Sequence, residues 1–319
     1  MLDLITIGDV GIDTYYLLDS GDATVRHLKS EAGCELCFDL SEKIPVEEVH
    51  TTIGGNAANA AVGATKLGLN TSIVTTIGDD EDGRSIIYQL EKADVDLRNI
   101  TRADKTNQTV ALIYKGQRTL LVHHEERKYE FGNPPAAKWL YLTSTNIGGE
   151  KMNDDIVKYA QRYNARIVFS PGTIQRKAGP RPYGEILRIT DVIIMNKEEA
   201  QDYTGVKDED VNQMLDGLIA LGPRYAVITD ATAGSYASDS TDYYRCEAHK
   251  VDAIDSTGAG DAYASALTAA LVQGKTLEEA MKWGSINAAS VVQKIGPQLG
   301  LLSLTALQHR LADFNKKDR

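Results

Sequence analysis

Short β-branched runs at residues 4–7, 72–77, 139–142, 166–169, 192–195 and 226–229 alternate with longer stretches of helical spacing. This alternation constrains the fold most, because it is the pattern of a mostly parallel sheet covered by helices. Helical spacing occupies residues 56–67, 83–93, 152–163 and 208–220, with Gly68 in a C-cap position after the first. The C-terminal third reads as three helices, at 259–273, 276–293 and 303–314, separated by glycine or proline. Two stretches break the rhythm. Residues 14–51 hold an acidic, cysteine-bearing segment, and residues 106–124 read as a hairpin, so together they suggest a small β appendage on the α/β body.

Composition narrows the partners. A net charge of -11 argues against nucleic acid, whose phosphate backbone calls for clustered Lys and Arg. An anionic cofactor is compatible with that charge, since helix N-terminal amides hold phosphates locally. No apolar run approaches the ~20 residues a membrane-spanning helix needs. Met1 to Gly8 reads as a first buried strand rather than a secretory leader, and three cysteines do not suggest a disulfide scaffold, so the cytoplasm is the expected location. With 319 residues the chain could hold one large domain or two; no linker or repeat divides it.

The string Asp255-Ser256-Thr257-Gly258-Ala259-Gly260-Asp261, followed by an Ala-rich apolar segment, reads as a Gly-rich turn opening a helix. Gly258 and Gly260 let backbone amides approach an anion, and the helix dipole adds positive charge there. Asp261 falls in the first turn. Phosphoryl transfer needs positioning, charge neutralisation and a carboxylate to take the proton of the attacking hydroxyl, and this segment could supply all three. A helix cap explains a lone Gly-Asp pair equally well.

The whole string resembles the C-terminal signature of the ribokinase, or PfkB, family. Gly54-Gly55-Asn56-Ala57-Ala58-Asn59-Ala60-Ala61 is similar to that family's substrate-binding segment, and Gly8-Asp9-Val10-Gly11-Ile12-Asp13 to the end of its first strand. The resemblance implies that Asp13, Gly55 and Asn59 hold acceptor hydroxyls. It also implies that Asn196 and Glu199, in Asn-Lys-Glu-Glu, order the water shell of Mg²⁺, although an N-cap explains Asn196 as well. Thr229 and Gly234 match the turn lining the ATP cleft, while Asp230 departs from the family pattern, and Asn287 is placed by resemblance beside the adenine. Asp255, Thr257 and the loop 296–300 resemble a potassium-binding region.

The implied fold is a ribokinase-like three-layer α/β/α domain over residues 1–319, with a small β lid from about 14–51 and 101–130. The implied activity is ATP-dependent transfer to a hydroxymethyl group of a ribose- or fructose-like sugar. Asp261 would be the base, and the amides of Gly258, Ala259 and Gly260 the anion hole. A nucleoside is the main alternative acceptor; a non-catalytic metabolite-binding relative is a more distant one. Exposed lid edges suggest a homodimer. Gly274-Lys275-Thr276 is not a P-loop, because position 269 is Ala and helix precedes it; Thr276 to Glu279 reads as a capping box. Cys34-Glu35-Leu36-Cys37 has metal or redox spacing without a second ligand pair, and His123-His124 falls in the lid hairpin.

Overall fold

A computed structural model describes residues 1–18, 24–27, 34–38, 40–103, 105–114 and 117–317. β1 (Leu2–Ile7), β2 (Gly11–Leu18), β3 (Thr24–His27), β4 (Cys34–Cys37) and β5 (Val46–Gly54) precede α1 (Asn56–Lys66). Next come β6 (Thr71–Gly78), α2 (Glu81–Lys92), β7 (Asp96–Ala103), β8 (Asn107–Tyr114), β9 (Gln117–His123), β10 (Ala137–Leu142), α3 (Asn153–Tyr163), β11 (Arg166–Phe169), α4 (Thr173–Ala178) and α5 (Gly184–Arg188). The chain continues through β12 (Val192–Asn196), α6 (Lys197–Thr204), α7 (Val211–Ala220), β13 (Tyr225–Thr229), β14 (Ser235–Ser238) and β15 (Tyr243–Cys246). It ends with α8 (Ala259–Val272), α9 (Leu277–Val291) and α10 (Leu304–Lys317).

The body sheet has nine strands in the order β15-β14-β13-β12-β11-β10-β1-β6-β7, parallel except where β14 meets β13 and β15. Its central strands are apolar on both faces. Leu4, Tyr141, Val168 and Val227 pack with Ala64 of α1, Leu267 of α8 and Trp283 of α9. Their neighbours Ile5, Leu140, Ile167 and Ile228 pack on the other side with Ile156 of α3, Ile186 of α5 and Leu215 of α7. Burial of both faces is why these strands read as continuous apolar runs, and it makes the body a three-layer sandwich.

The lid is a second sheet in the order β5-β2-β8-β9, with β2 antiparallel to β5 and parallel to β8. Its limits differ from those expected. It starts at Gly11 and β5 runs to Gly54, while residues 101–103 pair with β6 and belong to the body. β7 escaped the sequence reading because a half-exposed edge strand lacks an apolar signal. Asp80 ties the lid to the body: its carboxylate caps α2 through the Gly83 amide (2.8 Å) and accepts from the Thr106 amide (2.8 Å) and hydroxyl (2.6 Å) at the root of β8. The Cys34–Cys37 spacing forms β4, paired with β3; the Cys34 side chain lies outside the described residues. Among the described residues no helix is long and apolar enough to cross a membrane.

Candidate active site

The C-terminal ends of the parallel strands and the N-terminus of α8 meet in one cleft of about 200 Å³. Asn196, Glu199, Thr229, Gly260 and Asp261 all line it. These residues are distant in sequence, and the strand order brings them together, as is usual for ligand sites of open α/β sheets.

At the start of α8, Gly258 has φ 76°, and a Cβ there would stand 2.4 Å from the Cβ of Pro297. Only glycine fits this approach. No side chain caps this helix end; the Ala259 amide donates to Ser256 O (3.3 Å), which leaves the Gly258 and Gly260 amides toward the open side of the turn. A Cβ on Gly260 would meet no protein atom within 4 Å, which leaves the cleft side of the turn open.

Asp261 follows in the first turn. Its Oδ2 accepts a hydrogen bond from Asn59 Nδ2 (2.8 Å), and Asn59 Oδ1 accepts in turn from Gln298 Nε2 (2.9 Å). Asn59, expected at the acceptor, therefore has its amide committed to orienting Asp261. Gln298 was not singled out by sequence, because nothing local ties it to Asn59. Burial pushes the Asp261 carboxyl up to about 6; the Asn59 hydrogen bond opposes this, and the Asp13 and Glu199 charges add to it.

Asp13 enters from β2 of the lid and its carboxylate lies over Gly54, where a Cβ would sit 2.0 Å from Oδ2. Gly54 thus shapes this pocket together with Gly55, which has φ 91° and heads α1. Burial raises Asp13 to about 6, against hydrogen bonds from Thr109 and Tyr15 and the nearby His124. The His124 ring lies 3.4 Å from Asp9 at the end of β1, so the lid histidine reaches this side of the cleft.

Asn196 and Glu199 form a reciprocal cap on α6: the Glu199 amide donates to Asn196 Oδ1 (2.8 Å) and the Asn196 amide to Glu199 Oε2 (3.0 Å). Both the capping and the cleft-lining expectations describe them. Thr229 ends β13 in the cleft, and Gly234 closes the following turn by accepting from the Asp230 amide (2.8 Å). Asn287 is not brought to the cleft. It is fully buried, donating to Ala262 O (2.8 Å) and accepting from Leu302 N (3.0 Å), so it joins α8 to the C-terminal segment.

Asp255 and Thr257 do come together. Asp255 is 5% exposed and accepts from the Thr257 amide (2.9 Å), the Thr257 hydroxyl (2.6 Å) and the Gly296 amide (2.9 Å). From the lid, Arg118 Nη1 donates to Thr257 Oγ1 (2.5 Å) and lies 3.8 Å from Asp255. The buried carboxylate thus has three hydrogen-bond donors and the Arg118 guanidinium beside it.

A family model described as pfkB family carbohydrate kinase matches residues 32–303. The 5-dehydro-2-deoxygluconokinase of Bacillus subtilis is 29% identical over 289 residues, spanning 81% of this chain and 88% of that protein. The nucleoside kinase of Methanocaldococcus jannaschii is 27% identical over 275 residues, spanning 84% and 88%. Among solved structures, the ribokinase of Thermotoga maritima superposes with a TM-score of 0.77 at 22% identity, covering 98% of this chain and 100% of that one. A match over most of the length, on a fold and cleft of this kind, means that the chain belongs to the pfkB family of carbohydrate kinases and is a phosphotransferase with an alcohol acceptor.

Proposed function

We propose that the protein transfers the γ-phosphoryl group of ATP to a hydroxymethyl group of a sugar, with Asp261 as general base. The observation that carries this reading is Asp261, held by Asn59 at an uncapped helix N-terminus and facing a cleft that Asn196 and Glu199 share. The acceptor oxygen bonds to the γ-phosphorus, its proton passes to Asp261, and the bond to the β-phosphate oxygen breaks to release ADP. The amides of Gly258 and Gly260 stabilise the transferring charge because they are fixed before it develops, and the Ala259 amide, which donates to Ser256 O (3.3 Å), helps to hold that turn. Asp13, with Gly55 beside it, orients the acceptor, since an ionised carboxylate accepts from vicinal hydroxyls.

Mg²⁺ would arrive with the nucleotide and neutralise phosphate charge. Asn196 and Glu199 fit its water shell, since each carboxylate oxygen of Glu199 keeps a further lone pair. Pairing of two copies through the lid edges β5 and β9 belongs to the same proposal, supported by exposed Val49 and Leu121 on those strands.

A nucleoside acceptor is favoured by one observation. In the lid register Asp13 pairs with Thr109, Thr109 with Val122, and the next row carries Ala111 and Leu120. Val122 and Leu120 are 53% and 45% exposed, and an apolar base could cover them. Coupled measurement of ATP consumption with free sugars, sugar acids and nucleosides decides the class. Turnover with a sugar or sugar acid and none with nucleosides is expected; no turnover with any of them would sink the proposal.

The pH dependence follows from two raised carboxyls. Asp261 must be ionised to take a proton and Asp13 to accept hydroxyls, and both sit at about 6. Below pH 6, kcat/KM for the acceptor should therefore fall with a slope steeper than one per pH unit. A flat profile between pH 7 and 5 would contradict the roles given to both.

A further inference from the structure

Arg176, on the short helix α4, is outside every motif of the chain, yet its side chain is only 17% exposed and points at Glu199 in the cleft. Its Nη2 lies 3.2 Å from Glu199 Oε1 and donates to Thr173 Oγ1 (3.4 Å), while Nε is buried without a hydrogen-bond partner. Thr173 and Glu199 both line the cleft. The helix that carries Arg176 is held firmly: Gln175, 4% exposed, accepts from the Gly172 amide (2.6 Å) and donates to Thr143 O (2.9 Å). An arginine projecting from so fixed a base loses little freedom when it makes a charged contact.

Charge gives that placement a purpose. Asp261 and Glu199 face the space that a polyphosphate would occupy, and Lys197, the other cation beside α6, is engaged by Glu209 (3.1 Å) and Asp230 (4.0 Å). Glu199 has one oxygen in the α6 cap and the other on Arg176. Without the guanidinium its charge would repel the incoming phosphates.

We propose that Arg176 is a positioning residue of the nucleotide site, holding Glu199 and supplying the counter-charge that lets this cleft accept a nucleoside triphosphate with its magnesium. The inference rests on the reading of the cleft as the nucleotide's. An unpaired, buried Nε supports it independently of the ion pair, because a buried donor left unmade is costly and a phosphate oxygen would satisfy it.

Calorimetry with ATP and Mg²⁺ on the full chain, alongside steady-state KM for ATP and for the acceptor, tests the proposal. Arg176→Met should weaken ATP binding by roughly ten- to hundredfold, the range for a lost charged hydrogen bond. The acceptor KM and the melting temperature should hold, and Arg176→Lys should restore part of the loss. Combining Arg176→Met with Glu199→Gln should cost less than the two separate effects multiplied, because the neutral glutamine then lacks the charge that Arg176 offsets. ATP affinity of Arg176→Met within twofold of wild type would overturn the proposal, as would equal losses for ATP and acceptor with a lowered melting temperature. Absence of ATP binding by the wild type would overturn the nucleotide reading itself, which the variant comparison alone cannot mimic.

Discussion

Asp261→Asn is expected to lower kcat by about 10²- to 10⁴-fold, the usual contribution of a positioned general base, with ATP affinity nearly unchanged. The asparagine keeps the shape of the side chain and can still meet Asn59 by an amide flip, but it cannot take a proton. Stability should move the other way. Burial raises the Asp261 carboxyl to about 6, so the folded state holds its proton more tightly than the unfolded chain and loses stability as pH rises through 6. Asp261→Asn should therefore melt no lower than wild type at pH 8, and the comparison should turn less favourable to the variant toward pH 5. Full activity in this variant would remove the base from the mechanism.

Loss of Asp13 should be nearly as severe but confined to the acceptor. Two charge-assisted hydrogen bonds at about 1.5 to 3 kcal/mol each correspond to a fall in acceptor kcat/KM of roughly 10²-fold or more in Asp13→Ala. The lid should still close on the signature turn through Arg118 and Thr257, so ATP binding should be retained. Calorimetry that found lost nucleotide affinity with normal acceptor affinity would mean the two pockets are assigned backwards. Gly54→Ala offers a second route to the same result, since its methyl would occupy the place of the Asp13 carboxylate.

The body strands and the turn at 255–261 were legible because each is governed by neighbours in sequence. Strands buried on both faces leave continuous apolar runs, and a helix start that admits an anion needs glycine where a side chain would intrude. The short helices α4, α5 and α6, the edge strands β7 and β15 and the short strand β14 were less visible. Short or half-exposed elements take their stability from what they pack against, and their periodicity is weak.

By itself, then, the sequence determined a parallel α/β body with a β lid, and a carboxylate in the first turn of a helix that opens from a Gly-rich turn. Side-chain partners distant in sequence were decided by tertiary structure alone. Asp261 meets Asn59 across 202 positions, Arg118 meets Thr257 across 139, and Asn287, expected at the adenine, is turned into the core to join two backbone segments. An amide or guanidinium bonds to whatever donor or acceptor packing sets within about 3 Å, and that neighbour is chosen by the crossing of helices and strands, which no local pattern of residues records.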